Sequence, residues 1–177
     1  MWVVNKEKTI AMSVLSKCAS SSIQDYMPAA CNRVYFNEEI LDIPVRVGWI
    51  RNPFGPEGRL VSAYSFFHFM FKNNPKFKFP NGSIETFSNW RSFVDNIFKV
   101  EDRHWMPQTE LLTLDGAYLP TVTHRFEDIG DRWNDYYEGL LPWLRRCQHL
   151  DYDPDYRAAE LEDYYAEDVT KWHSAAH

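Results

Sequence analysis

A lysine stands beside a cysteine and three consecutive serines in the segment 16–22, Ser-Lys-Cys-Ala-Ser-Ser-Ser. A lysine ammonium, serine hydroxyls and the unpaired N–H groups of a helix start can together bind a phosphate. The segment contains no glycine and does not follow the spacing of a Walker A loop. Because serine is also a favoured N-cap residue, the pattern alone indicates either an anion site or an ordinary capped helix.

Arg51 directly follows a short apolar run, 44–50, that begins at a proline and is rich in β-branched residues. Arg59 and Ser62 come next, at the spacing Arg-x-x-Ser. Arginine holds phosphate through charge-assisted hydrogen bonds, and a serine near a helix start can add a donor. Taken alone, the same residues fit a surface arginine and a serine on an ordinary helix face.

Proton transfer at neutral pH calls for a histidine or for a carboxylate with a raised pKa. The chain offers His68, His104 and His124. His68 lies in the aromatic run Phe-Phe-His-Phe, which is typical of a core or boundary histidine. Glu127 and Asp128 form a carboxylate pair at a predicted strand end, where such pairs most often cap the next helix.

The apolar pattern predicts strands that alternate with helices. Strands are expected over 8–15, 44–50 and 118–124, and helices over 23–27, 59–72, 83–100 and 156–172. This order predicts a three-layer α/β domain with a mainly parallel central sheet flanked by helices. Ligands of such sheets bind outside the carboxyl ends of the strands, where both Lys17 and Arg51 are expected to lie.

Composition predicts one folded domain over 1–177, because 45% of the residues are hydrophobic and 16% are aromatic. The net charge of -6 argues against general nucleic-acid binding, which needs a strongly basic face. Residues 45–103 nevertheless carry 9 basic and 5 acidic groups. This basic segment fits either an anionic ligand or a chance cluster on a solvated surface.

Three widely spaced cysteines, Cys18, Cys31 and Cys147, suggest neither a disulfide framework nor a metal site. No stretch has the length and apolarity of a membrane span, and the first 30 residues lack the basic and apolar regions of an export signal. The sequence therefore predicts a cytoplasmic protein that has no membrane partner and no metal.

Considered together and in order, these segments resemble motifs of a known enzyme family. Residues 17–22 resemble the 5'-phosphosulfate loop, and 51–64 the 3'-phosphate motif, of sulfotransferases that use 3'-phosphoadenosine 5'-phosphosulfate, and they are most similar to the carbohydrate (chondroitin-type) sulfotransferases. Residues 102–108, 124–129 and 165–168 resemble that family's His-Trp-x-Pro, Phe-Glu-Asp-Leu and Tyr-x-x-Asp segments. One departure is the run 54–58 before Arg59, which is three residues longer than in the family pattern.

The resemblance implies a P-loop-like fold and assigns roles to particular residues. Lys17 is expected to contact the 5'-phosphate and the bridging oxygen, and Arg51 and Ser62 to hold the 3'-phosphate. His104 becomes the preferred general base because of its His-Trp-x-Pro context. The backbone that is expected to wrap the 5'-phosphate comprises Cys18, Ala19, Ser20, Ser21 and Ser22.

Three functions follow as hypotheses. The first is transfer of a sulfuryl group to a hydroxyl, with a carbohydrate as the expected acceptor. The second is a small-molecule kinase of the related P-loop architecture, although the chain lacks the Walker lysine and serine pair. The third is a non-catalytic module that keeps the fold and binds a nucleotide or a protein partner.

Overall fold

The structure, a computed structural model, describes residues 1–18, 23, 35–74, 76–136 and 149–175. Its main sheet contains four strands, which in chain order are β1 (Trp2–Val4), β2 (Ile10–Ser13), β3 (Val45–Ile50) and β6 (Val122–Arg125). β1 pairs antiparallel with β2, whereas β2 with β3 and β3 with β6 are parallel. A separate hairpin joins β4 (Thr113–Leu114) to β5 (Ala117–Tyr118).

β3 occupies an interior position of the sheet because its sequence is almost entirely apolar. Its last four residues, Val47 to Ile50, are buried, as suits a strand with neighbours on both sides. Gly48 allows the chain before β6 to cross closely, since a Cβ at this position would lie 2.8 Å from Cγ of Pro120. Val3 and Trp49 belong to one buried cluster and Trp2 and Ile50 to another, so both faces of the sheet are covered.

Six α-helices are present in the described residues: α1 (Arg59–Asn73), α2 (Trp90–Ile97), α3 (Gln108–Leu111), α4 (Ile129–Arg132), α5 (Ala158–Tyr164) and α6 (Ala166–Ser174). α1 and α2 enclose a core of aromatic rings in which Phe67 and Phe93 both pack against Trp105. None of the described helices has the length and apolarity needed to cross a membrane.

The chain is thus a mixed α/β protein with a small mixed sheet, in which two of the three strand pairings are parallel. The strands predicted over 8–15 and 44–50 and the helix over 59–72 are confirmed. β1 was not predicted, because three residues are too few to show a period. The helix predicted over 23–27 lies outside the described residues, apart from Ile23.

Three sequence predictions need correction. The helix predicted over 83–100 begins only at Trp90, because Ser83 bonds to Glu85 and Thr86 in local turns and Asn89 then caps the helix. The strand predicted over 118–124 is split into β5 and β6 around Pro120, which has no N–H to donate. The helix predicted over 156–172 is two helices that meet at Tyr165.

Candidate functional site

Lys17 and Arg51 lie together at the carboxyl ends of two neighbouring parallel strands. β2 leads to Lys17 and β3 ends directly before Arg51, so the parallel pairing brings both residues to the same edge of the sheet. Nη1 of Arg51 donates a hydrogen bond to the carbonyl oxygen of Lys17 at 2.7 Å. Two cationic residues that are 34 positions apart in the sequence therefore meet at one point of the fold.

The backbone of Lys17 is left-handed, with a φ of 69°. This conformation is uncommon for residues other than glycine. The ammonium nitrogen lies 3.6 Å from the ring centroid of Phe66, on α1, in a cation–π arrangement. The turn and the aromatic ring together fix where the Lys17 side chain leaves the strand end.

Cys18 is a structural thiol in this arrangement. Its side chain is fully buried, its Sγ donates to Oε1 of Gln108 at 3.1 Å, and burial raises the pKa of the thiol to about 11. The backbone N–H of Cys18 is already bonded to the carbonyl of Leu15. The other residues predicted to wrap the 5'-phosphate, Ala19, Ser20, Ser21 and Ser22, lie outside the described residues.

The guanidinium of Arg51 is held by backbone carbonyl oxygens. Besides its bond to Lys17, it donates two hydrogen bonds to the carbonyl oxygen of Glu57, one from Nε at 2.9 Å and one from Nη2. It also lies over the ring of Phe126, 4.9 Å from the centroid. Glu57 belongs to the run 54–58, so the segment that is longer than the family pattern supplies the oxygen that Arg51 binds.

Ser62 lies in the first turns of α1 and is 4% exposed. The donors of this helix start are largely occupied, because the N–H groups of Arg59, Leu60 and Ser62 bond to the carbonyls of Asn52, Pro53 and Gly58. The structure therefore brings Ser62 near the loop 51–58, here called the Arg51 loop, but buries it within the start of the helix. Of the predicted 3'-phosphate residues, only Arg51 is partly exposed.

Arg59 is a buried cation that sequence reasoning noted but gave no role. Its guanidinium donates to three carbonyl oxygens, at 3.2 Å to Ser16, 2.6 Å to Arg103 and 2.6 Å to Met106. It thereby joins the residue before Lys17 to the segment that contains His104. Its partners lie 43 to 47 positions away, which no local sequence pattern reveals.

Gln108 and Asp168 form a second buried link that the sequence did not reveal. Oε1 of Gln108 accepts from the backbone N–H of Arg51 at 3.0 Å, and its Nε2 donates to the carbonyl of Arg51 at 2.7 Å. The carboxylate of Asp168 accepts the backbone N–H groups of Gln108 and Thr109, both at 2.8 Å, and caps the start of α3. The hydroxyl of Tyr165 donates to the carbonyl of Trp105.

His104 is held by Asp102 and by aromatic rings. Its Nδ1 lies 2.5 Å from Oδ1 of Asp102, and its ring packs edge-on against Phe67 with centroids 5.0 Å apart. The other two histidines are bound elsewhere: Nδ1 of His68 lies 2.9 Å from the carbonyl of Phe87, and Nε2 of His124 lies 2.6 Å from the hydroxyl of Tyr136.

A cleft of about 330 Å³ borders the Arg51 loop. Its lining includes Asn52, Phe54, Glu57, Glu127 and Trp172. The carboxylate of Glu127 accepts the indole N–H of Trp172 at 3.0 Å and lies 3.4 Å from the backbone nitrogen of Asn52. The predicted carboxylate at the end of β6 thus ties the last helix to this loop.

Comparisons of the chain with models of protein families, with curated proteins and with solved structures found no match. In the part of the chain that the structure describes, no three histidine, cysteine, aspartate or glutamate side chains are grouped to hold a metal ion.

Proposed function

We propose that this chain is a sulfotransferase that moves a sulfuryl group from 3'-phosphoadenosine 5'-phosphosulfate to a carbohydrate hydroxyl in the cytoplasm, on a P-loop-like α/β fold. The observation that carries the proposal is the position of Lys17 and Arg51 at one edge of the sheet, where Nη1 of Arg51 lies 2.7 Å from the backbone carbonyl oxygen of Lys17. A nucleotide with phosphates at both its 5' and 3' positions needs two separate cations on one edge of the sheet.

The contacts between the motif-like segments support the proposal. Gln108 bonds to Cys18 and to the backbone of Arg51, while Arg59 joins Ser16 to Arg103. Segments that are distant in the sequence but share the order of the family motifs thus form one connected network. Such a network is expected if these segments serve a common site.

In the proposed reaction the acceptor hydroxyl oxygen attacks sulfur and forms the new S–O bond. The bond between sulfur and the bridging phosphate oxygen breaks, and adenosine 3',5'-bisphosphate leaves with the electron pair. Lys17 stabilises the negative charge that develops on that oxygen, and Nε2 of His104 takes the proton of the hydroxyl. Arg51 gives up its hydrogen bonds to the carbonyl of Glu57 and binds the 3'-phosphate instead.

A non-catalytic nucleotide-binding or interaction module is the second candidate, and the Arg51 loop favours it. The guanidinium of Arg51 is already bonded to Glu57 and Lys17, and Ser62 is buried. A chain that had lost turnover would keep the fold and the links through Gln108, because these stabilise the protein whether or not it turns over substrate.

Thermal unfolding with different nucleotides tests the proposal. Adenosine 3',5'-bisphosphate at 100 times its dissociation constant should stabilise the protein by about 2.7 kcal/mol, whereas ADP and ATP with magnesium should not. For a chain of this size the midpoint would rise by about 5 to 10 °C. Stabilisation by ATP with magnesium alone would favour the kinase hypothesis, and no response to any nucleotide would contradict the proposal.

A transfer assay then separates the enzyme from the non-catalytic module. With ³⁵S-labelled donor and a panel of mono- and oligosaccharides, the wild-type protein should release adenosine 3',5'-bisphosphate and labelled sulfate ester in equal amounts. Binding without transfer to any acceptor in the panel would favour the second candidate.

A further inference from the structure

The carboxylate of Asp102 binds His104 at two points. Oδ1 of Asp102 accepts the backbone N–H of His104 at 2.9 Å and also lies 2.5 Å from Nδ1 of its ring. One oxygen atom thus fixes both the main chain and the side chain of the same histidine. This arrangement leaves the ring little freedom to rotate about χ1 or χ2.

Asp102 is itself held in place. Its Oδ2 accepts a hydrogen bond from Nδ2 of Asn81 at 2.7 Å, and the carbonyl of Asn81 accepts from Nδ2 of Asn96 at 3.1 Å. The backbone carbonyl of Asp102 accepts the N–H groups of Trp105 and Met106. Both carboxylate oxygens therefore have fixed partners, so the histidine is bound to a rigid group.

The charge of Asp102 determines which ring nitrogen of His104 carries the proton. Burial acts to raise the pKa of Asp102, but the hydrogen bonds from His104 and Asn81 hold it below its ordinary value. The carboxylate is thus ionised at neutral pH and can only accept. Nδ1 must then be protonated, which leaves Nε2 of a neutral ring as the acceptor.

The rest of the ring is enclosed by aromatic side chains. Phe67 and Phe79 pack against it with centroids 5.0 and 5.9 Å away, and the side chain is 17% exposed. In the part of the chain that the structure describes, no hydrogen-bond partner of Nε2 is found. Nε2, the nitrogen that would accept a proton, is therefore not bound by Asp102.

His104 is also tied to the position of Lys17. The single guanidinium of Arg59 binds the carbonyls of Ser16 and Arg103, which directly precede these two residues. Consecutive rings of α1, Phe66 and Phe67, contact Lys17 and His104 respectively. The backbone just before each of the two residues is therefore held by the same buried cation, and both side chains pack against the same helix.

We propose that Asp102 is a positioning residue for His104, which keeps Nδ1 protonated and Nε2 ready to take the proton of the acceptor hydroxyl. The proposal rests on the proposed function in assigning that proton to a sulfuryl acceptor. Asp102 does not touch the reacting atoms. It acts through the orientation and the tautomer of the histidine ring, as the partners of catalytic histidines generally do.

The test compares Asp102→Asn with Glu101→Gln, a matched control that removes the same charge from the neighbouring exposed residue. ¹⁵N NMR of labelled histidine, with His104 assigned through a His104→Gln variant, reports the tautomer directly. Wild type and Glu101→Gln should show protonated Nδ1 and unprotonated Nε2. In Asp102→Asn at least half of the ring population should carry the proton on Nε2.

Kinetics provide the second measurement. Asp102→Asn should lower the turnover number about 10²- to 10⁴-fold, while the dissociation constant of adenosine 3',5'-bisphosphate changes less than twofold. If Asp102→Asn does not fold, Asn81→Ala removes only the contact to Oδ2 and should lower turnover about tenfold. An unchanged tautomer in Asp102→Asn, or unchanged turnover in every folded variant, would overturn the proposal.

The two measurements also separate this proposal from the proposed function. If wild type neither binds the bisphosphate nor transfers sulfate, the sulfotransferase assignment fails, and the NMR result alone decides whether Asp102 positions His104. If wild type is active but Asp102→Asn retains both the tautomer and the rate, the assignment stands and the positioning role is wrong.

Discussion

The thiol of Cys18 donates to the side-chain oxygen of Gln108 at 3.1 Å, and the same oxygen accepts the backbone N–H of Arg51 at 3.0 Å. One buried amide thus joins the segments that follow β2 and β3. The side-chain nitrogen of Gln108 donates its two hydrogens to the carbonyl of Arg51 and to the carboxylate of Asp168. Gln108 therefore satisfies buried groups on three different parts of the chain.

Gln108→Leu should destabilise the protein by about 2 to 4 kcal/mol, because it leaves buried donors and acceptors without partners. Urea unfolding monitored by circular dichroism measures this loss. Asn73→Leu, which removes an amide from the exposed end of α1, serves as the control and should have little effect. Equal stability of the two variants would show that the Gln108 link does not stabilise the fold.

Arg59→Met should cost about 3 kcal/mol, since three partly buried carbonyls lose the charge-assisted hydrogen bonds of a fully buried guanidinium. Arg59→Lys keeps the charge but cannot reach three oxygens with one ammonium, so most of the loss should remain. Arg91→Met breaks an exposed ion pair with Asp153 and should cost less than about 1 kcal/mol. Calorimetric unfolding compares the three variants, and full stability of Arg59→Lys would contradict the triple contact.

The sequence predicted the part of the site that depends on local pattern. Strand β2, strand β3 and helix α1 follow from apolar periodicity, and the rule for parallel strands brings Lys17 and Arg51 to one edge. The roles of Arg59 and Asp168 were not predictable. Their partners lie tens of residues away, and a buried hydrogen bond leaves no periodic trace in a single sequence.

Cys18 should make the protein less stable in alkali. Burial raises the thiol pKa from 9.0 to about 11, so the folded state holds its proton more tightly than the unfolded state does. The resulting stability is present below pH 9 and is lost as the pH rises towards 11. Over that range wild type should lose up to about 2 to 3 kcal/mol more than Cys18→Ser.

Unfolding in urea at several values between pH 8 and 11 measures this difference, and the tyrosines common to both proteins cancel in the comparison. A second readout is alkylation of Cys18, which peptide mapping distinguishes from the other two cysteines. Iodoacetamide should label Cys18 at pH 8 only after unfolding. Rapid labelling of the native protein would contradict the buried, protonated thiol.

Lys17→Gly should separate folding from nucleotide binding. Glycine relieves the left-handed backbone but removes the contact with Phe66, so the two effects nearly cancel and the melting temperature should change by no more than about 2 °C. Binding of adenosine 3',5'-bisphosphate should fall at least tenfold in isothermal titration calorimetry.

Lys8→Gly provides the matched control, because Lys8 is also left-handed, with a φ of 56°, and lies in an exposed turn away from the site. It should bind the bisphosphate like wild type. If both glycine variants bind equally well, Lys17 is not a phosphate ligand and the assignment of the loop is wrong.

The cap that Asp168 places on α3 also has a consequence for protein synthesis. Gln108 leaves the ribosome 60 residues before the carboxylate that caps its helix and holds its side chain. Until Asp168 emerges, the polar groups of Gln108 and Thr109 that it binds have no partner from the last part of the chain. Gln108, which bonds to the backbone of Arg51, is then not yet held in place. The edge of the sheet that carries Lys17 and Arg51 is therefore completed late, after α6 has been translated.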